Sequence, residues 1–224
     1  MQAWETIDHA RVGTSDFVLA RRGDEWVVRV NQHVLMSSRL QDSEIALAEE
    51  GLARVPNAEH VLIGGLGLGY TLRAALDRAP AARVTVVELV ADLVKWNRTH
   101  LAPLTKGASS DPRSEIVVAD VLDVVTKSKS AFDVILLDVD NGPEAISQNE
   151  NRRLYSERGT HACFDALKPK GVLVVWSAGP SAPYVSRLKK AGFVTETLSV
   201  PARKGSKAKH VLFVGTKLGA RRGA

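Results

Sequence analysis

Short apolar runs broken by polar turns occupy the first part of the chain, and the rhythm then changes. Phe17-Val18-Leu19-Ala20 is apolar, Arg21–Glu25 is a polar turn, and Trp26–Val30 reads as a strand. Asn31-Gln32 can turn the chain into Val34-Leu35-Met36. Apolar runs of this length between turn residues predict a small antiparallel β unit over residues 1–38. Asp42 or Ser43 is then placed to cap a helix to about Arg54, with Ile45, Leu47, Ala48 and Leu52 apolar.

From His60 the pattern becomes strand, helix, strand, helix. The spacing predicts strands at Val61–Ile63, Arg83–Glu88, Glu115–Ala119, Phe132–Leu137 and Val172–Trp176. Helices are predicted over Thr71–Arg78, Val90–His100, Val121–Lys127, Asn149–Leu167 and Ala182–Ala191. Continuous apolar runs such as Phe132–Leu137 suit parallel strands buried on both faces. Phe193–Val200 and His210–Thr216 are two further strands with no helical pattern between them. Alternating units imply a doubly wound, Rossmann-like sheet, and the last pair implies a terminal hairpin. Seven mostly parallel strands ending this way describe the class I S-adenosylmethionine-dependent methyltransferase fold. The expected organisation is an α/β chain with a β unit over 1–38 and a nucleoside-binding domain over 39–224.

Composition narrows the setting. The 224 residues are 45% hydrophobic and 25% charged, which is ordinary for a globular chain. Cys163 is the single cysteine, so an internal disulfide and a multi-cysteine metal site are excluded. No apolar run is long enough to span a bilayer, and the expected location is the cytoplasm. The net charge of +5 gathers partly in Arg203–Lys209 and Arg221-Arg222. Without interleaved aromatic residues these read as a solvated loop and tail, and nucleic acid is not an expected partner. The six histidines are scattered, so no metal is expected.

Ligands of open α/β sheets bind beyond the carboxyl ends of the strands. The first strand is followed by Gly64-Gly65-Leu66-Gly67-Leu68-Gly69, a loop through which a ligand can approach the backbone. Glu88, 19 residues beyond Gly69, ends the second strand and can accept both hydroxyls of a ribose. Asp120 follows the third strand and can cap the next helix, take an adenine amino group, or do both. Leu89 and Val121 adjoin these acids as further cofactor contacts. Asp138-Val139-Asp140-Asn141-Gly142-Pro143 follows the fourth strand. The sixth position of the glycine motif is Tyr70 rather than Gly or Ala, which disfavours NAD.

The stretches VLIGGLGLGYTLRAAL, VTVVEL, DPRSEIVVADVLD, FDVILLDVDNGPE and ALKPKGVLVVWS resemble spermidine synthases, the polyamine aminopropyltransferases. That resemblance implies ribose at Glu88, adenine near Asp120, Asp138 beside the reacting amine, and a homodimer through the small β unit. The chain also departs from the family pattern. Leu68 stands where the family's glycine loop carries an acid for the donor's amine, and Leu47 and Ala48 stand for a Tyr-His pair. The reading drawn from these departures is an S-adenosylmethionine-dependent methyltransferase acting on a small-molecule acceptor, with an amine as the candidate. The alternatives are an aminopropyltransferase using decarboxylated S-adenosylmethionine and a non-catalytic nucleoside-binding scaffold. Gly64, Gly65, Leu66, Gly67, Gly69, Glu88, Leu89, Asp120, Val121 and Asp138 are the expected cofactor residues, with Asp138 also catalytic. Asp140, Asn141 and Tyr155 are the candidates for the acceptor. Tyr155 has helix packing as its competing role, and Trp176 can wall the pocket or pack the core.

Overall fold

The computed structural model describes residues 2–139, 142–143 and 151–219. A four-stranded antiparallel sheet comes first: β1 (Glu5–Val12), β2 (Ser15–Arg22), β3 (Glu25–Val30) and β4 (His33–Ser37), paired in chain order. Asn31 and Gln32 make the β3–β4 turn, both with positive φ (48° and 72°), as a tight two-residue hairpin requires. The helix α1 (Asp42–Arg54) leads into the main body.

That body alternates β5 (His60–Gly64), α2 (Tyr70–Arg78), β6 (Arg83–Glu88), α3 (Ala91–Arg98), β7 (Ser114–Val118), α4 (Val121–Lys127) and β8 (Phe132–Leu137). It continues with α5 (Glu157–Ala166), β9 (Leu167–Ser177), α6 (Ala182–Lys190), β10 (Val194–Pro201) and β11 (Lys209–Thr216). The sheet order is β10-β11-β9-β8-β5-β6-β7. Strands β5 to β9 pair in parallel, and β11 is antiparallel to both β9 and β10. This is the seven-stranded, mostly parallel α/β sheet with a terminal hairpin that the pattern predicts.

Both faces of the sheet are buried, with period two. Val134 and Leu136 of β8 and Val172 and Val174 of β9 lie in one core with Leu47 of α1 and Leu72 of α2. Ile135, Leu137, Leu173 and Val175 lie in the other, with Val125 of α4, Cys163 of α5 and Leu188 of α6. Burial pushes the Cys163 thiol up to about 12, so it behaves as a core side chain. Leu47 and Ala48 are fully buried.

A third core joins the small sheet to the glycine loop. Phe17, Leu19 and Val28 pack with Leu68, Tyr70, Leu93 and Trp96. Trp96 Nε1 also donates to Asp8 Oδ2 at 2.9 Å, tying β1 to α3. No helix among the described residues is long and apolar enough to cross a membrane.

Several boundaries differ from expectation. The strand β1 carries little apolar signal, because only Ala10 of it is buried. Neither Asp42 nor Ser43 caps α1, whose cap is Gln41 with no side-chain bond. Asp42 instead accepts Lys204 N at 2.5 Å, and Ser43 is buried under Trp176. The helix α5 starts at Glu157, capped by Ser156, rather than at residue 149. Lys168–Gly171 is absorbed into β9, where Lys170 takes φ +68°.

Candidate active site

The glycine loop is held from both sides. Gly65 has φ +87°, and a Cβ there would lie 2.3 Å from the carbonyl oxygen of Asp138. Only glycine lets the β8 exit come this close. Gly69 caps α2 with φ +88°, and Asn97 Nδ2 donates to Gly67 O at 2.9 Å and to Leu93 O at 3.0 Å. Leu66 packs into the core above the sheet, and Leu68 into the core under the small sheet.

Glu88 sits at the end of β6, 7% exposed. Its two carboxylate oxygens accept Leu66 N and Val90 N, each at 2.8 Å. Burial raises its pKa, and the surrounding backbone amides pull it back down. Each oxygen keeps a further acceptor site for a ligand hydroxyl. Leu89 and Val118 beside it are 51% and 54% exposed, an apolar pair at the ends of β6 and β7. Asp120 caps α4 by accepting Leu122 N at 2.8 Å, and Val121 is buried behind it. The carboxyl ends of β5, β6 and β7 thus bring together the loop, Glu88 and Asp120.

Asp138 follows β8. Its N–H donates to Gly64 O at 2.8 Å, and its Oδ2 accepts the Thr71 hydroxyl at 2.8 Å. The Thr71 oxygen also lies 3.3 Å from the carbonyl of Glu44 in the first turn of α1. Burial pushes the Asp138 carboxyl up to about 6, against the Thr71 bond, which lowers it. Burial and then the charge of Asp138 push Glu44 well above the usual carboxylate range. Burial and Glu44 push Tyr70 up to about 12. Among the described residues no lysine, arginine or histidine pairs with Asp138 or Glu44.

Asp140 and Asn141 lie outside the described residues. Tyr155 is 2% exposed, and its hydroxyl donates to Val139 O at 3.0 Å while its ring meets Tyr184 edge-on. It braces the β8 exit from below. Trp176 packs on the core and donates Nε1–H to Ser43 Oγ at 3.0 Å. No group of three or more His, Cys, Asp or Glu side chains among the described residues could hold a metal ion. Glu44, Thr71 and Asn97 are additional residues around the loop. An acid at a helix start reads as a dipole partner, and a threonine or asparagine on an amphipathic helix carries no spacing of its own.

Residues 43–184 match the spermine/spermidine synthase domain, a stretch running from α1 through the glycine loop, Glu88, Asp120 and Asp138. The chain belongs to the spermine/spermidine synthase family. Similar family members include the polyamine aminopropyltransferase of Thermotoga petrophila, 35% identical over 125 residues, covering 56% of this chain and 40% of that one. Another is the polyamine aminopropyltransferase of Aeropyrum pernix, 30% identical over 186 residues, covering 76% of this chain and 58% of that one. The chain spans less than two thirds of either relative's length. The solved spermidine synthase of Thermotoga maritima superposes with a TM-score of 0.78 at 23% identity, over 95% of this chain and 72% of that one. A probable spermidine synthase from Corynebacterium glutamicum gives 0.69 at 19% identity, over 93% and 79%. These two establish the likeness of fold.

Family membership corrects the methyl-transfer reading. The similar curated proteins are named aminopropyltransferases, and the matched domain is a spermine/spermidine synthase domain. Leu68 carried the methyl-transfer reading, but its side chain is 1% exposed in the core beneath the small sheet. It reports on how the loop is anchored, not on which group is transferred.

Proposed function

We propose that the protein transfers the 3-aminopropyl group of decarboxylated S-adenosylmethionine to an amine acceptor of the polyamine class. The observation that carries this reading is Asp138, held against the glycine loop by Gly65 and Thr71 and flanked by a second acid, Glu44. Two acids with no cationic partner among the described residues disfavour a donor bearing its own carboxylate and favour one whose end is an ammonium. The names of the similar proteins support the same choice.

In this reading Glu88 holds the ribose with its remaining acceptor sites. Leu89 and Val118 flank the adenine, and Asp120 lies at its edge. The loop's backbone lets the sulfonium approach the β8 exit. The attacking amine must be neutral. Its nitrogen forms a bond to the propyl carbon as the carbon–sulfur bond breaks, and that electron pair stays on sulfur in departing methylthioadenosine. Asp138 accepts the proton that the new ammonium releases. The protein's share is positioning and charge, since the sulfonium already makes the carbon electrophilic. Asp140 and Asn141 remain candidates for the acceptor. The bond from Tyr155 to Val139 O favours a bracing role for that residue. The homodimer implied by the resemblance belongs to this proposal, and light scattering would read twice the chain's 24.2 kDa.

The test is methylthioadenosine release from decarboxylated S-adenosylmethionine and a diamine. We expect release that depends on the amine and falls about 10²–10⁴-fold in Asp138→Asn, the range general-base loss usually gives. Release indifferent to Asp138 contradicts the assigned role.

A further inference from the structure

A cavity of about 420 Å³ lies where α5 and α6 meet the end of the β8 exit, lined by Pro143, Arg152, Tyr155, Ser156, Glu157 and Arg187. That volume falls in the range of small-molecule sites. None of these six residues belongs to the glycine loop or to the strand ends that carry Glu88 and Asp120.

The cavity brings two guanidinium groups together from different elements. Arg152 is on the single turn Asn151–Arg153, and Arg187 is on α6. Arg187 Nη1 donates to Tyr155 O at 3.3 Å, which holds that guanidinium against the cavity wall. Most of its five N–H donors stay unused. Neither arginine has an acid within ion-pair distance among the described residues. The acid in the described lining, Glu157, is already taken by Lys190 Nζ at 2.8 Å.

Two cations that converge on one cavity repel each other, and a shared anion makes both interactions favourable. A carboxylate has two oxygens and is satisfied by a single guanidinium fork. A phosphate group presents three strong acceptor oxygens and a charge of about −1.5 to −2 at neutral pH, enough to match two arginines.

We propose that Arg152 and Arg187 form a phosphate-binding site, separate from the nucleoside site. It stands whether or not the aminopropyl-transfer reading does. The phosphate can be free or can be the end of a phosphomonoester, and the two sources separate in one experiment. The full chain is titrated calorimetrically with inorganic phosphate, with glycerol 3-phosphate and with acetate, all at one ionic strength. The titrations are repeated on Arg152→Gln, Arg187→Gln and Arg98→Gln. Arg98 ends α3 and lines no part of this cavity, so its variant removes the same charge elsewhere.

We expect the unaltered chain to bind both phosphates at one site and acetate at least tenfold more weakly. Arg152→Gln and Arg187→Gln should each weaken phosphate binding at least tenfold, and Arg98→Gln should leave it within twofold. Tighter binding of glycerol 3-phosphate than of inorganic phosphate assigns the site to a phosphomonoester, and the reverse order assigns it to free phosphate. Arg152 is exposed, so its variant reads the site without disturbing packing and decides the matter alone if Arg187→Gln fails to fold. No binding of either phosphate by the unaltered chain overturns the inference. Binding that ignores Arg152, or that falls equally in Arg98→Gln, overturns it as well.

Discussion

Gly65 and Glu88 hold the glycine loop by opposite means, one by lacking a side chain and one by placing a carboxylate. In Gly65→Ala, positive φ and a Cβ 2.3 Å from Asp138 O act together. We expect a loss of roughly 2–4 kcal/mol in denaturant unfolding, at the severe end for one substitution. In Glu88→Ala, two backbone amides lose their acceptor, and in the proposed function the ligand also loses its ribose contact. Methylthioadenosine affinity should fall at least 100-fold by calorimetry, consistent with about 1.5–3 kcal/mol per hydrogen bond to a charged group. Unchanged affinity removes Glu88 from the site. The sequence makes these residues legible because strand ends and glycine spacing are periodic features. Glu44 was hidden because an acid in a helix's first turn has an ordinary explanation. Leu68 was misleading because aligned position does not say which way a side chain faces, and here it faces the small sheet.

At the scale of elements, boundaries follow local chemistry that periodicity overlooks. Leu154 and Tyr155 are buried, so an apolar pattern continues upstream of α5, but Ser156 Oγ accepts Gly159 N at 3.2 Å and starts the helix there. Ser156→Ala should cost about 1 kcal/mol, the usual value of an N-cap. In a chain of this size that is a melting shift of roughly 2–4 °C, with methylthioadenosine affinity unchanged. A helix that melts as before would show that the cap is not what sets the boundary. The central strands were legible from their apolar runs because both faces are buried. The edge strand β1 was not, because solvent takes most of its side chains.

For the whole molecule, the acid pair trades stability for charge. The Asp138 carboxyl is pushed up to about 6 from an ordinary value of 3.8, so between those values the folded chain binds more protons than the unfolded one. Its contribution to stability is therefore present below about pH 4 and lost as pH rises through 6. Asp138→Asn keeps an acceptor for Thr71 and removes this ionisation. It should be more stable than the parent by roughly 1–3 kcal/mol at pH 7.5, with the gap closing toward pH 4. A pH-independent gap would deny the raised pKa. Activity runs the other way: kcat/KM should climb as pH passes about 6 and Asp138 ionises. Fold topology was readable from strand–helix alternation and the final hairpin. The choice of donor was not, because in the proposed function it depends on two acids on separate elements, α1 and the β8 exit, that only the fold brings near each other.

Donor choice is also the most direct test of the assigned function. Equal concentrations of S-adenosylmethionine and its decarboxylated form are offered with a diamine, and the nucleoside products are separated. Methylthioadenosine formed with an aminopropylated amine is the result expected. S-adenosylhomocysteine as the main product, with a methylated acceptor, would contradict it.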